Sequence, residues 1–152
     1  MSEAAQQVFN IQKIYTKDIS FESPNAPEIF STEFQPKLSI DLNVESQSLD
    51  DSTYHVVLRI TVTTKVDDRT AFLCEVEQGG IFSLSGFSEA EMGYLLGAQC
   101  PNVLFPYARE VVSDLVAKGG FPQLLLEPVN FEGMYQEHLQ SAQTNEASPT
   151  AQ

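Results

Sequence analysis

Thr53-Tyr54-His55-Val56-Val57-Leu58-Arg59-Ile60-Thr61-Val62-Thr63-Thr64-Lys65-Val66 alternates without a break. Tyr54, Val56, Leu58, Ile60, Val62, Thr64 and Val66 fall on one face, and Thr53, His55, Val57, Arg59, Thr61, Thr63 and Lys65 on the other. A period of two in a stretch rich in β-branched residues predicts a strand with one apolar and one solvated face. Asp67, Asp68 and Arg69 follow as a tight hairpin connection. Residues 70–78 return, with Phe72, Cys74 and Val76 opposite Leu73, Glu75 and Glu77. Gly79-Gly80 is expected to mark a bulge or the exit from the sheet.

Working towards the N-terminus, residues 46–52 read as a polar turn. Residues 37–45 alternate, with Leu38, Ile40, Leu42 and Val44 on one side. Residues 23–36 contain Pro24, Pro27 and Pro36, which exclude a central strand. This long crossover carries Ile29, Phe30 and Phe34, and its rings either anchor the loop to the core or line a groove. Residues 8–22 form a fourth alternating stretch. Phe9, Ile11, Tyr15, Ile19 and Phe21 are expected on one face, and Asn10, Gln12, Thr16, Asp18, Ser20 and Glu22 on the other. Asp18 and Glu22 then point the same way, about 13 Å apart. Four such stretches, mostly joined by short polar turns, predict an antiparallel sheet.

Towards the C-terminus the period changes. Ser88-Glu89-Ala90-Glu91 fits a capping box, with Phe87 and Met92 as its hydrophobic staple, and the short helix it opens is expected to stop at Gly97. Cys100 to Pro122 predicts the best-bounded helix of the chain. Pro106 suits its first turn, and Gly119 and Gly120 would end it with left-handed backbone. Its apolar residues come in pairs repeating every fourth residue: Val103-Leu104, Tyr107-Ala108, Val111-Val112 and Leu115-Val116. That band is broader than one small sheet needs. Phe121 to Pro128 reads as extended. Asn130 can cap a last helix carrying Phe131, Met134, Tyr135, His138 and Leu139 on one side. The class is α+β: a four-stranded antiparallel sheet with helices packed on one face. Residues 1–140 form the domain, and residues 141–152, which lack an apolar period, read as a disordered tail.

Composition narrows the function. The 152 residues include 8 Lys or Arg and 21 Asp or Glu, a net charge of −13. Phosphate binding needs Lys and Arg, so nucleic acid and an anionic membrane are disfavoured as direct partners, while a basic or metal-capped protein partner is favoured. No apolar run approaches the roughly 18 residues of a membrane span, so no direct membrane insertion is expected. Met1 to Gln7 has neither the basic nor the apolar region of a signal peptide, which predicts a cytoplasmic protein with reduced thiols. The two Cys and two His are scattered, so no zinc set, cofactor motif or nucleophilic triad emerges, and no catalytic residue is assigned. Binding remains. Asp18 and Glu22 share a solvated face with Leu73, Glu75 and Glu77, and an apolar side chain among acids suits protein docking. Aromatic and Met residues outside the strands suit adaptable contacts with unfolded chain.

Several blocks then show a family likeness. Ile14 to Glu22, Pro24 to Pro27, Ala71 to Val76 and Gln78 to Phe82 closely resemble SecB, the bacterial protein-export chaperone family. So do Cys100 to Asn102, Leu104 to Glu110, Phe121 to Leu124 and Pro128 to Phe131. The resemblance spans roughly residues 8–140 and implies a cytoplasmic, ATP-independent holdase without a cofactor. It would bind unfolded precursor proteins and pass them to SecA, the ATPase of the Sec translocase. It also implies a homotetramer, a dimer of dimers with helices between sheets. Carried over by position, the SecA contact falls on Asp18, Glu22, Leu73 and Glu75, facing a short, basic, zinc-bearing SecA tail. The client groove is expected at Phe30, Phe34, Leu42, Leu124, Tyr135 and Leu139. Tyr107, Val111, Val112, Leu115 and Val116 are expected in the core and oligomer interface. An acidic adaptor or mimic that binds one folded basic partner is the alternative.

Overall fold

Asp67 and Asp68 have φ of 51° and 64°. Two successive left-handed residues give the two-residue turn whose twist matches a right-handed strand pair. This hairpin joins β3 (Thr53–Val66) to β4 (Arg69–Ser85), with Val66 opposite Arg69. With β1 (Val8–Glu22) and β2 (Lys37–Ser48) they make one antiparallel sheet in the order β1-β4-β3-β2. The computed structural model describes residues 6–147.

The core face of β3 follows its alternation: Val56, Leu58, Ile60, Val62, Thr64 and Val66 are all buried. Two expectations for the sheet need correction. First, β4 does not leave the sheet at Gly79-Gly80 but runs through to Ser85, paired with β1 to its end and with β3 as far as Ser83. The glycines serve close approach instead. A Cβ on Gly79 would run into the Tyr15 ring, and one on Gly80 into Phe82 and Leu104. Second, β1 does not keep one apolar face. Its register against β4 slips between Ile11 and Lys13 and again between Thr16 and Asp18. Each slip reverses the alternation, so Ile14 packs on the core and Tyr15 moves to the outer face. β2 also extends past residue 45, to Ser48.

The crossover bends through a 3₁₀ turn (Glu28–Ser31) that buries Ile29. Ser23 Oγ donates to the Ala71 carbonyl at 2.9 Å and Asn25 Nδ2 to the Thr70 carbonyl at 2.9 Å, tying the loop to the start of β4.

The capping box forms as expected: Glu91 N–H donates to Ser88 Oγ at 3.1 Å and Ser88 N–H to Glu91 Oε1 at 2.8 Å. The helix it opens, α1 (Glu89–Tyr94), does not stop at Gly97. A π-helical turn (Leu95–Gln99) leads straight into α2 (Cys100–Lys118). Gly97 lies within that helical run, and its missing side chain leaves room for the Tyr135 ring. Pro106 consequently sits inside α2, while Pro101 occupies the first turn. At the other end only Gly120 is left-handed, with φ of 90°; Gly119 has φ of −74°. A side chain on Gly119 would strike the Phe21 ring, so packing explains this glycine.

The paired apolar residues of α2 divide cleanly. Leu104, Ala108, Val112 and Val116 are buried on β3 and β4, whereas Val103, Tyr107, Val111 and Leu115 stay half-buried or exposed. The last helix, α3 (Phe131–Ala147), is capped by Asn130, whose Oδ1 accepts from Gly133 N–H at 3.0 Å. It continues beyond residue 141; the final part of the expected tail, residues 148–152, lies outside the described residues. Cys74 and Cys100 are both buried and free; burial pushes the thiols up to about 11 and about 12.

Candidate functional site

The outer sheet face assembles in rows fixed by register. Glu22 lies opposite Leu73, which pairs with Thr63; Ser20 opposite Glu75, then Thr61; Asp18 opposite Glu77, then Arg59. The slip beside Lys17 restores Asp18 to this face after Tyr15 has entered it. Thus Asp18, Glu22, Leu73 and Glu75 do share one surface. Asp18 and Glu22 are exposed and, among the described residues, in no ion pair. Leu73 is 36% exposed, an apolar step amid carboxylates.

Glu75 is held more firmly. Thr61 Oγ1 donates to its Oε1 at 3.2 Å, and Arg59 Nε lies 4.0 Å from its Oε2. Arg59 Nε is closer to Glu77, at 3.6 Å. Arg59 is the one cation among these rows, and its Nε is buried without a hydrogen-bond partner. Sequence reasoning placed Arg59 on the outer face but assigned it no role; its register position next to Glu77 was the signal available.

On the other side of the sheet, two hollows take up the residues expected in a client groove. The first, about 140 Å³, is lined by Phe34, Pro36, Leu38, Thr64, Phe72, Pro122, Gln123 and Leu124. Behind it Phe121 gathers Phe30, Phe34 and Phe72, at ring separations of 5.2, 5.9 and 5.0 Å. Phe30 and Phe34 therefore anchor the crossover, and Phe34 also faces the hollow. The second, about 420 Å³, lies between β2 and α3. Leu42, Val44, Leu96, Phe131, Met134, Tyr135 and His138 are among its walls. Tyr135 lies over Gly93 and Gly97, one helical turn apart, which explains why both positions lack side chains.

The six expected groove residues thus separate. Phe34 and Leu124 line the first hollow, Leu42 and Tyr135 the second. Phe30 is half-exposed beside the first, and Leu139 lies on the exposed surface of α3 one turn past Tyr135. Leu38 and Leu42 mark the two hollows along β2, roughly 13 Å apart at 3.3 Å per residue. Met134 and His138, which share the expected stripe of the last helix with Tyr135, join it in the wall, whereas Thr64 was missed as a lining residue. The helical spacing of Met134 and His138 with Tyr135 was legible, but which face met β2 was not.

The expected interface residues also divide. Val112 and Val116 belong to the protomer core, and Tyr107, Val111 and Leu115 form the outer stripe of α2. No described helix is long and apolar enough to cross a membrane.

Comparison with known proteins places these features in context. Residues 2–142 match the family model described as preprotein translocase subunit SecB. The protein-export protein SecB of Hydrogenovibrio crunogenus is 69% identical over 141 residues, covering 92% of this chain and 95% of that protein. A SecB-like chaperone of Mycobacterium tuberculosis, solved in complex with an antitoxin peptide, superposes with a TM-score of 0.66 at 18% identity. That superposition covers 80% of this chain and 90% of the other.

Proposed function

The chain belongs to the SecB family and is a protein-export chaperone, and on that premise we propose a division of labour between the two sides of its sheet. The helix side holds client polypeptide and the acidic outer face recruits SecA. Holding is ATP-independent and cytoplasmic, with no catalytic step. Residues 1–140 carry it, and residues 141–152 are an accessory tail. The observation that carries the proposal is this separation. Leu42, Tyr135, Phe34 and Leu124 open on one side of the strands, and Asp18, Glu22, Leu73 and Glu75 on the other.

Each surface has a physical rationale. Unfolded segments expose apolar side chains, and burying them contributes about 25 cal/mol per Å² without demanding a sequence. The peptide-bound Mycobacterium neighbour supports peptide holding by this fold. The outer stripe of α2 supports a homotetramer, a dimer of dimers with helices between sheets. Several weak hollows then act together by avidity. The acidic rows suit the short, basic, zinc-bearing tail of SecA, since complementary charge speeds encounter and selects the partner.

Suppression of aggregation of an unrelated, chemically unfolded polypeptide, without nucleotide, tests the holding function. Suppression at near-stoichiometric ratio is expected. Tight binding to one folded basic protein with no effect on aggregation would instead support an adaptor.

A further inference from the structure

We propose that Thr64 makes the Phe34 hollow selective for a tyrosine side chain of an extended client segment, an inference that rests on the client-binding role above. Thr64 faces the core from β3 between Leu38 and Phe72. The core-face positions around it on β3 are Val, Leu or Ile, and all are fully buried. Thr64 is itself 0% exposed, and its Oγ1 has no hydrogen-bond partner. Valine has the same shape and would fill this position without stranding a hydroxyl in an apolar wall. The orphan hydroxyl is therefore a costly feature unless something pairs with it.

The hollow defines what that partner is. Its walls are rings and aliphatic side chains, so the body of the ligand is apolar. Only Thr64 and Gln123 among the lining residues have polar side chains, and Gln123 Nε2 already donates to Ser113 Oγ at 3.0 Å. No lining residue is charged, which disfavours a charged tip. A serine or a water molecule would reach the hydroxyl but leave the aromatic walls unfilled. Tyrosine combines a flat apolar ring with a hydroxyl at its end. Leu38, 46% exposed, lines the hollow from β2 directly opposite Thr64 in register.

The test uses the full-length assembled protein and two fluorescent peptides rich in Gly, Ser and Leu. They are identical except for one central Tyr or Phe, and binding is read by anisotropy. One hydrogen bond to a buried, otherwise unpaired group predicts roughly five- to tenfold tighter binding of the Tyr peptide. Thr64→Val is expected to bring the two affinities within about twofold by weakening the Tyr peptide alone. Thr64→Ser keeps the hydroxyl and is expected to keep the preference. Equal affinities in the unsubstituted protein, or an unchanged preference in Thr64→Val, would overturn the proposal and leave the hydroxyl as the partner of a buried water. If neither peptide binds, the client-binding role itself falls, and the proposal with it.

Discussion

The Tyr15 hydroxyl lies 2.6 Å from His55 Nε2, with the two rings stacked at a centroid separation of 5.9 Å. They belong to β1 and β3, which do not touch in the sheet order; Tyr15 reaches His55 across Gly79 of β4. A Cβ at Gly79 would stand 2.6 Å from the Tyr15 ring. Gly79→Ala is therefore expected to lower stability by about 1–3 kcal/mol, the usual range for overpacking. Tyr15→Phe loses only the hydrogen bond and should cost about 1 kcal/mol. In a Tyr15→Ala background the Gly79→Ala penalty should largely disappear. Urea denaturation of the natural chain, Gly79→Ala, Tyr15→Ala and the double variant measures this coupling. An undiminished penalty would show that the glycine is required for another reason.

This pair also shows where sequence reasoning stopped. β3 was legible because an unbroken period of two admits one assignment of faces. β1 has the same apparent period, but two register slips reverse it, and neither slip has a Gly or Pro to announce it. Tyr15 was consequently placed with Phe9 and Phe21 rather than with His55. The acidic rows survived because the second slip precedes Asp18, leaving Asp18, Ser20 and Glu22 in step with β4. The continuity of α1 into α2 was hidden for a related reason. Gly97 and Pro106 are helix breakers by local propensity, yet Gly97 lies within the π turn under the Tyr135 ring and Pro106 within α2. The two hollows depend on how the crossover and α3 dock on the sheet, contacts between distant segments that no local pattern encodes.

The buried thiols make stability fall at alkaline pH. Their ordinary value is 9.0, and in the folded chain Cys74 rises to about 11 and Cys100 to about 12. Above pH 9 the unfolded chain releases thiol protons that the folded chain retains. The unfolded state then binds fewer protons, and stability declines as pH rises, by up to roughly 1.4 kcal/mol per pH unit per thiol. Below the ordinary value the thiols contribute no pH dependence. Comparing urea unfolding of the natural chain and a Cys74→Ala/Cys100→Ala variant at pH 8 and pH 10 cancels the Tyr and Lys background. The natural chain is expected to lose more stability over that interval; equal losses would show that the thiols ionise freely in the fold.

The paired apolar residues of α2 divide into a row buried in the protomer and an outer stripe proposed for assembly. Val112 is buried in the protomer, so Val112→Asp strands a charge in the core and should abolish the fold. Tyr107 is 51% exposed and Leu115 lies two turns further along the same stripe. Leu115→Asp and Tyr107→Asp are expected to retain helical circular dichroism and cooperative melting while the mass by light scattering falls below that of a tetramer. A folded tetramer in both variants would remove the stripe from the assembly and require the subunits to meet elsewhere, with the free edges of β1 and β2 as the remaining sheet surfaces.

Arg59 is the cation that already stands among the acidic rows proposed to recruit SecA. It stands 3.6 Å from Glu77 and 4.0 Å from Glu75, so an arriving cation must compete with a charge already there. Asp18→Ala combined with Glu75→Ala is expected to weaken SecA binding by tenfold or more at low salt, about 1.4 kcal/mol, and to leave client binding intact. Unchanged SecA affinity would remove these residues from the contact. Arg59→Met should do the opposite. It keeps most of the aliphatic stem that packs along the strands and removes the competing charge, so SecA should associate roughly two- to fivefold faster at low salt. The gain should vanish as salt rises, because partly exposed charges are screened within about 8–10 Å at physiological ionic strength. Stopped-flow association at two salt concentrations reads both effects. Slower association of Arg59→Met would mean that Arg59 orders Glu75 for the partner rather than competing with it.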